Sequence, residues 1–226
     1  MHGIDAPGRG TRTRETPVTD YHALVKTLAA HLTADLLTTR EHSGTLTYAT
    51  FGHSFGATLS LAVAAAVTQE TGQPPARAYL SAALPPRLQP PDNLADLPDE
   101  DLLAKTAADG GTPPQVLAHP AMRTLLLRML RQDHTVRRAF PTEAATLQTT
   151  APLTLIAARD DPYAPPEAMR QWAAHTTGPI RQVTIPGGHF AAIHHPRDTL
   201  ALIAADTTGH PGDGTRRAET GEPHVP

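Results

Sequence analysis

The residues best placed to do chemistry are Gly52-His53-Ser54-Phe55-Gly56, a G-x-S-x-G pentapeptide between an apolar run, 46–51, and an alanine-rich run, 57–67. A strand that passes into a helix across such a pentapeptide makes a sharp turn, which strains its central residue and pushes that side chain into the open. The glycines two positions either side of Ser54 are expected to keep neighbouring strands and the helix clear of the turn. Ser54 is thus a candidate nucleophile. The helix N-terminus would lie beneath it, and the Phe55 amide would point at the oxyanion that forms when a carbonyl is attacked. The pentapeptide alone is equally compatible with a glycine-rich turn carrying a solvated serine, because both residue types are common.

Serine is a poor nucleophile until a base takes its proton, and the base needs a carboxylate to fix its tautomer and stabilise its charged form. In one arrangement of these groups the chain order is Ser, then an acid, then His, each after a strand of a parallel sheet. Here Asp160-Asp161-Pro162 follows the apolar run 152–158, and Pro186-Gly187-Gly188-His189-Phe190 follows the run 180–185. Catalytic groups in open α/β sheets gather at the carboxyl ends of strands, where all three segments fall. Of the adjacent acids, Asp161 is preferred because Pro162 confines its backbone to an extended form suited to leaving a turn. Asp160 would then be a solvated charge or a turn cap. Among thirteen histidines, His189 has the Gly-Gly approach that lets a loop bring imidazole near a serine. A structural loop histidine is the other reading. No H-E-x-x-H or similar ligand spacing is present, so no metal site is expected.

The elements that must position these groups read as an α/β alternation. Thr19 or Asp20 can cap a helix to about Leu37, with Leu24, Leu28, Leu32 and Leu36 on one buried face. The segment 76–83 reads as the next strand of a parallel sheet. From 85 to 147 no strand is expected. A short helix opens at Pro98-Asp99-Glu100 and closes at Gly110-Gly111. Another starts near Pro120 and carries Met122, Leu125, Leu126, Met129 and Leu130 as an apolar stripe. That stripe suits either a core-facing helix or a cap over the site that would greet an acyl chain. A helix over 166–175, a closing helix over 198–205, and a disordered polar tail over 206–226 complete the reading.

Composition narrows the classes. The chain of 226 residues, 39% hydrophobic, suffices for one α/β domain. A net charge of −3 with scattered basic residues suggests neither a nucleic-acid nor a membrane-surface partner. No apolar run is long enough to span a bilayer and no charged-then-apolar leader is present, so a cytoplasmic protein is the simplest expectation. The absence of cysteine rules out disulfides and thiolate chemistry.

Several segments in order carry a resemblance: Pro7-Gly8-Arg9-Gly10, the elbow 52–57, Leu97-Pro98-Asp99-Glu100, Gly110-Gly111-Thr112-Pro113, Arg131-Gln132-Asp133, Asp160-Asp161-Pro162 and Pro186-Gly187-Gly188-His189-Phe190. In these the chain resembles the type II thioesterases, the stand-alone editing hydrolases that accompany nonribosomal peptide and polyketide synthases. The resemblance covers about 4–205. It implies an α/β-hydrolase fold with a helical lid at about 85–147, within a thioesterase domain spanning 1–205. It implies Ser54 as nucleophile, His189 as base, Asp161 as its partner and the Phe55 amide as an oxyanion donor, with no cofactor. The implied substrate is an acyl group on the phosphopantetheine arm of an acyl or peptidyl carrier protein. Members of that family carry leading strands and a Pro-His-Ala-Gly-Gly-type loop before Pro-Gly-Arg-Gly, and the loop supplies a second oxyanion amide. With six residues before Pro7, the expectation is a chain lacking those first strands, its true start upstream. Loss of one oxyanion donor costs roughly 100- to 1000-fold in rate. A general carboxylesterase or acyltransferase, or a non-catalytic remnant that only binds carrier proteins, would fit the same residues.

Overall fold

Two short apolar strands make the centre of the sheet, because their side chains are buried on both faces as a central parallel strand requires. The computed structural model describes residues 2–44 and 47–208. These central strands are β2 (Arg77–Ser81) and β3 (Leu153–Ala158), flanked by β1 (Ala49–His53) and β4 (Ile180–Ile185). All pairings are parallel, in the order β1-β2-β3-β4, with Phe51 beside Tyr79, Leu80 beside Leu155 and Ile156 beside Val183. The elbow strand therefore starts and ends later than the run 46–51 suggests. Gly52 and His53 belong to it, while Thr45 and Leu46 lie outside the described residues.

Helices cover both faces of the sheet. On one, α2 (Phe55–Thr71) meets Ala78, Leu80, Leu153, Leu155 and Ala157, together with Met169 of α7 (Pro166–Met169) and Trp172 of the 3-10 turn that continues it. Trp172 is fully buried and its indole N–H donates to the Ala83 carbonyl at 2.7 Å. On the other face, Tyr79 and Ile156 pack against Ala192 of α8 (Ala191–His194) and against Leu202 and Ile203 of α9 (Pro196–Thr208). The closing helix thus runs past 205. Asp206, expected in a disordered tail, accepts from Arg181 of β4 at 2.7 Å and from Thr154 of β3, which pins the helix to the sheet. Residues 209–226 of the expected tail lie outside the described residues.

The helix α1 (Tyr21–Ser43) packs outside α2. Asp20 caps it, accepting from the Ala23 amide at 2.8 Å. Leu24, Leu28 and Leu36 are buried with Leu32 packed beside them. The final turn, 38–43, carries no apolar stripe, so periodicity could not reveal that the helix runs six residues beyond Leu37 to a left-handed Gly44.

Between β2 and β3 the chain is helical: α3 (Asp99–Asp109), α4 (Pro114–Ala118), α5 (Pro120–Arg137) and α6 (Phe140–Glu143). The apolar stripe of α5 is not a core stripe. Met122 is 49% and Leu125 46% exposed, and Leu126, Met129 and Leu130 are only half-buried. The core-facing reading is corrected on that ground. Apart from Val136, which is buried in the core near its end, what holds α5 is polar. Arg9 forks onto both Asp133 carboxylate oxygens (2.8 and 3.2 Å) and the Met129 carbonyl, while Arg131 bonds Asp99 and the carbonyls of Ala95 and Leu97. Among the described residues no helix is long and apolar enough to cross a membrane.

The elbow glycines do not share one role. A methyl group on Gly52 would press into the Gly56 carbonyl and lie 2.6 Å from the Ala57 Cα, so strand and helix cross there with no space for a side chain. A methyl on Gly56 would meet nothing within 4 Å. Gly52→Ala is therefore expected to cost about 3 kcal/mol through overpacking. Gly56→Ala is expected to be neutral or to stabilise by up to about 1 kcal/mol, through helix propensity. Urea unfolding of the two variants checks this, and equal destabilisation would contradict it.

Candidate active site

Ser54 stands between the last residue of β1 and the first of α2, at φ 52° and ψ −123°. An L-residue rarely adopts that region, and its cost is met by the surroundings. The Ser54 amide donates to the Ser81 carbonyl at the end of β2 (2.8 Å), and the Ser54 carbonyl accepts from Ala57 in the first turn of α2. Phe55 opens α2, so its amide has no intrahelical acceptor and faces outward at the positive end of the helix. The Phe55 ring stacks on Phe140 of α6 (4.9 Å between centroids, 11° between planes), which fixes the far side of the turn.

The loops after β3 and β4 are tied to one another, since the Asp160 amide donates to the Gly187 carbonyl at 2.9 Å. Gly187 has φ 99°, a value that lets the chain reverse into His189 and that favours glycine. The outcome is a continuous relay. His189 Nε2 lies 3.0 Å from Ser54 Oγ, and His189 Nδ1 lies 2.9 Å from Asp161 Oδ2. Asp161 Oδ1 accepts from the amides of Tyr163 (2.8 Å) and Ala164 (3.1 Å). Asp160, its neighbour, is exposed and points no carboxylate into the relay. A carboxylate only accepts, so Nδ1 carries the proton and Nε2 of the neutral ring is left to accept from the serine hydroxyl. This arrangement can raise the nucleophilicity of Ser54 and hold the imidazolium that follows proton transfer.

The family described as "Thioesterase domain" matches residues 1–207. The chain belongs to that family. A probable cadicidin biosynthesis thioesterase of Streptomyces griseus is 30% identical over 192 residues, 85% of this chain and 50% of that protein. Thioesterase PikA5 of Streptomyces venezuelae is 31% identical over 140 residues, 62% of this chain and 50% of that protein. The chain thus spans about half the length of these curated relatives. The solved type II thioesterase BorB, from the borrelidin biosynthetic cluster, superposes with a TM-score of 0.74 at 29% identity, covering 88% of this chain and 78% of that one. The fold is that of the α/β-hydrolases, which its solved thioesterase neighbours share.

Electrostatics in this thioesterase-family site follow from burial and partners. Burial would push the Asp161 carboxyl up, but hydrogen bonds from His189 and from the Tyr163 and Ala164 amides, with the nearby imidazole charge, outweigh it and hold the group below the usual carboxylate range. His53, on the inner side of the elbow, is pushed down to about 4, first by burial and then by the neighbouring His189. Its Nδ1 lies 3.1 Å from Ser81 Oγ, whereas Nε2 is buried without a partner. Its ring is 5.2 Å from that of His189. The sequence signalled Ser54, Asp161 and His189 but not the rings around the imidazole, Tyr163, Phe190 and His53. Each adjoins a relay residue or lies two positions from one, and adjacency was the only signal available. Among the described residues, His2, His31 and Asp35 form one group with ligand atoms close enough to hold a metal ion, and none of them belongs to the relay.

The depressed His53 value has a consequence for stability. Unfolded, His53 returns to its ordinary value near 6.5, while the folded chain resists protonating it until about pH 4. Between those values the unfolded state binds more protons, so stability falls as pH falls, by on the order of 2 kcal/mol from pH 7 to 5. Asp161, depressed in the folded state, loses its contribution only as pH falls below about 4. Urea unfolding at pH 7 and 5 should show His53→Gln losing much of the parental pH dependence, and an unchanged dependence would contradict the assignment.

Proposed function

We propose that this chain is the catalytic part of a thioester hydrolase that removes acyl groups from the phosphopantetheine arm of carrier proteins, clearing misloaded synthetase modules. The observation that carries this reading is the unbroken hydrogen-bonded line Ser54–His189–Asp161 in a chain of the thioesterase domain family. Relatives named for cadicidin and borrelidin biosynthesis support the setting.

In the proposed mechanism Ser54 Oγ attacks the thioester carbonyl while His189 Nε2 takes its proton, and the Phe55 amide donates to the resulting oxyanion. The tetrahedral species collapses as the C–S bond breaks, and His189 delivers the proton to the departing thiolate. Water then enters, loses a proton to His189 and cleaves the acyl ester, which restores Ser54 and releases a carboxylic acid. Asp161 remains ionised throughout and stabilises the imidazolium. The half-exposed stripe of α5, with Met122 and Leu125 open to solvent, is an apolar surface of the kind an acyl chain would use.

Ser54→Ala is expected to lower hydrolysis of an acyl-carrier thioester by about 1000-fold or more, with Asp161→Asn losing on the order of 1000- to 10000-fold. Release of free thiol measures both. At equal concentration the parent should cleave the carrier thioester faster than a simple ester of the same acid. Parental rates in Ser54→Ala would refute the enzyme reading, and a preference for the simple ester would favour a general carboxylesterase.

A further inference from the structure

One part of the lid reaches the relay through a tyrosine. Lys105 and Asp109 lie one turn apart on α3, and both bond the Tyr163 hydroxyl. The phenol donates to Asp109 Oδ1 at 2.5 Å, and Lys105 Nζ donates to the phenol oxygen at 2.9 Å. Lys105 also pairs with Asp109 at 2.5 Å and stands 4.6 Å from the tyrosine ring centroid. Burial disfavours the Lys105 ammonium, but Asp109 and Tyr163 more than compensate and hold its pKa above the usual value.

Tyr163 is in turn joined to the site twice. Its amide is one of the donors that anchor Asp161, and its ring meets the His189 imidazole edge-on, at 5.2 Å and 85°. Phe190 also meets that imidazole edge-on, at 5.0 Å and 90°. The lid touches this second ring as well. Gly111, just beyond the left-handed Gly110 that ends α3, sits so close to Phe190 that an added Cβ would lie 2.6 Å from Cε1. A single lid unit, α3 with its glycine turn, therefore contacts two of the three rings around the imidazole, Tyr163 and Phe190.

These contacts are poorly explained as core packing. Tyr163 is 46% exposed, and of the residues of α3 only Leu102 is buried. A helix with so little apolar anchorage depends on its polar ties to stay seated.

We propose that Tyr163 is a positioning residue that couples the seating of α3 to the orientation of His189. With α3 seated, Asp109 and Lys105 fix the phenol, and the tyrosine ring together with Phe190 holds the imidazole in line between Asp161 and Ser54. Lifting α3 breaks the hydroxyl bonds and loosens both rings. No proton passes through Tyr163. The inference rests on the proposed roles of Ser54, His189 and Asp161.

The test compares Tyr163→Phe, which keeps the ring, with Asp109→Ala and the double variant, all in the full chain. Amide hydrogen exchange of α3 is read alongside kcat and KM on a short-acyl pantetheine thioester. Each single variant should speed α3 exchange at least about fivefold and lower kcat about three- to tenfold with KM within about twofold of the parent. The double variant should be no worse than the poorer single, because both changes break one connection. Parental exchange in Tyr163→Phe, parental kcat despite faster exchange, or losses that multiply would each overturn the proposal. Exchange needs no turnover. An inactive parent would therefore count against the hydrolase reading, while the α3 exchange would still decide whether the tether exists.

Discussion

The strained backbone of Ser54 is the constraint on which the site depends. A residue at φ 52° and ψ −123° costs of order 1–3 kcal/mol and persists only where its neighbours determine it. Here they do so from both sides. Ser81 at the end of β2 accepts the Ser54 amide, and α2 starts at once and takes the Ser54 carbonyl into its first turn. Gly52 lets strand and helix close to a separation that no other residue would permit. The side chain is left at the open end of the sheet, within reach of two other strand ends.

Those strand ends converge because the sheet is parallel and in register. The last residues of β1, β2, β3 and β4 lie along one edge, so the loops that follow them are neighbours whatever their separation in sequence. Ser54 and His189 are 135 positions apart and still within hydrogen-bond distance. The bond from the Asp160 amide to the Gly187 carbonyl couples the acid loop to the histidine loop, so the carboxylate and imidazole are placed as a unit. Asp161 can be buried and ionised because every bond it accepts comes from a fixed donor, two of them backbone amides.

Much of this was legible in the sequence for a physical reason. Strand-end chemistry leaves short, dense signals, and 52–56, 160–162 and 186–190 are such signals, each next to an apolar run. Pro162 favoured Asp161 over Asp160, and Asp161 is the one of the two that lies within hydrogen-bond distance of His189. The lid was less legible. The apolar stripe of α5 reads the same whether it faces a core or a surface, and only tertiary contacts distinguish the cases. The residues that hold the lid, Arg9 with Asp133 and Tyr163 with Lys105 and Asp109, pair over separations of 54 to 124 positions, which local patterning cannot register. The different demands on Gly52 and Gly56 were no more legible, because available space is a property of the packed elbow and not of the pentapeptide.

The proposed chemistry requires that the histidine 3.0 Å away make Ser54 nucleophilic. The most direct measurement is covalent labelling with a fluorophosphonate, followed by peptide mass spectrometry on the parent and on His189→Ala. One adduct is expected in the parent, on the peptide containing Ser54, with labelling slowed by at least about 1000-fold when His189 is removed. Labelling at another serine, or a rate at Ser54 indifferent to His189, would contradict it.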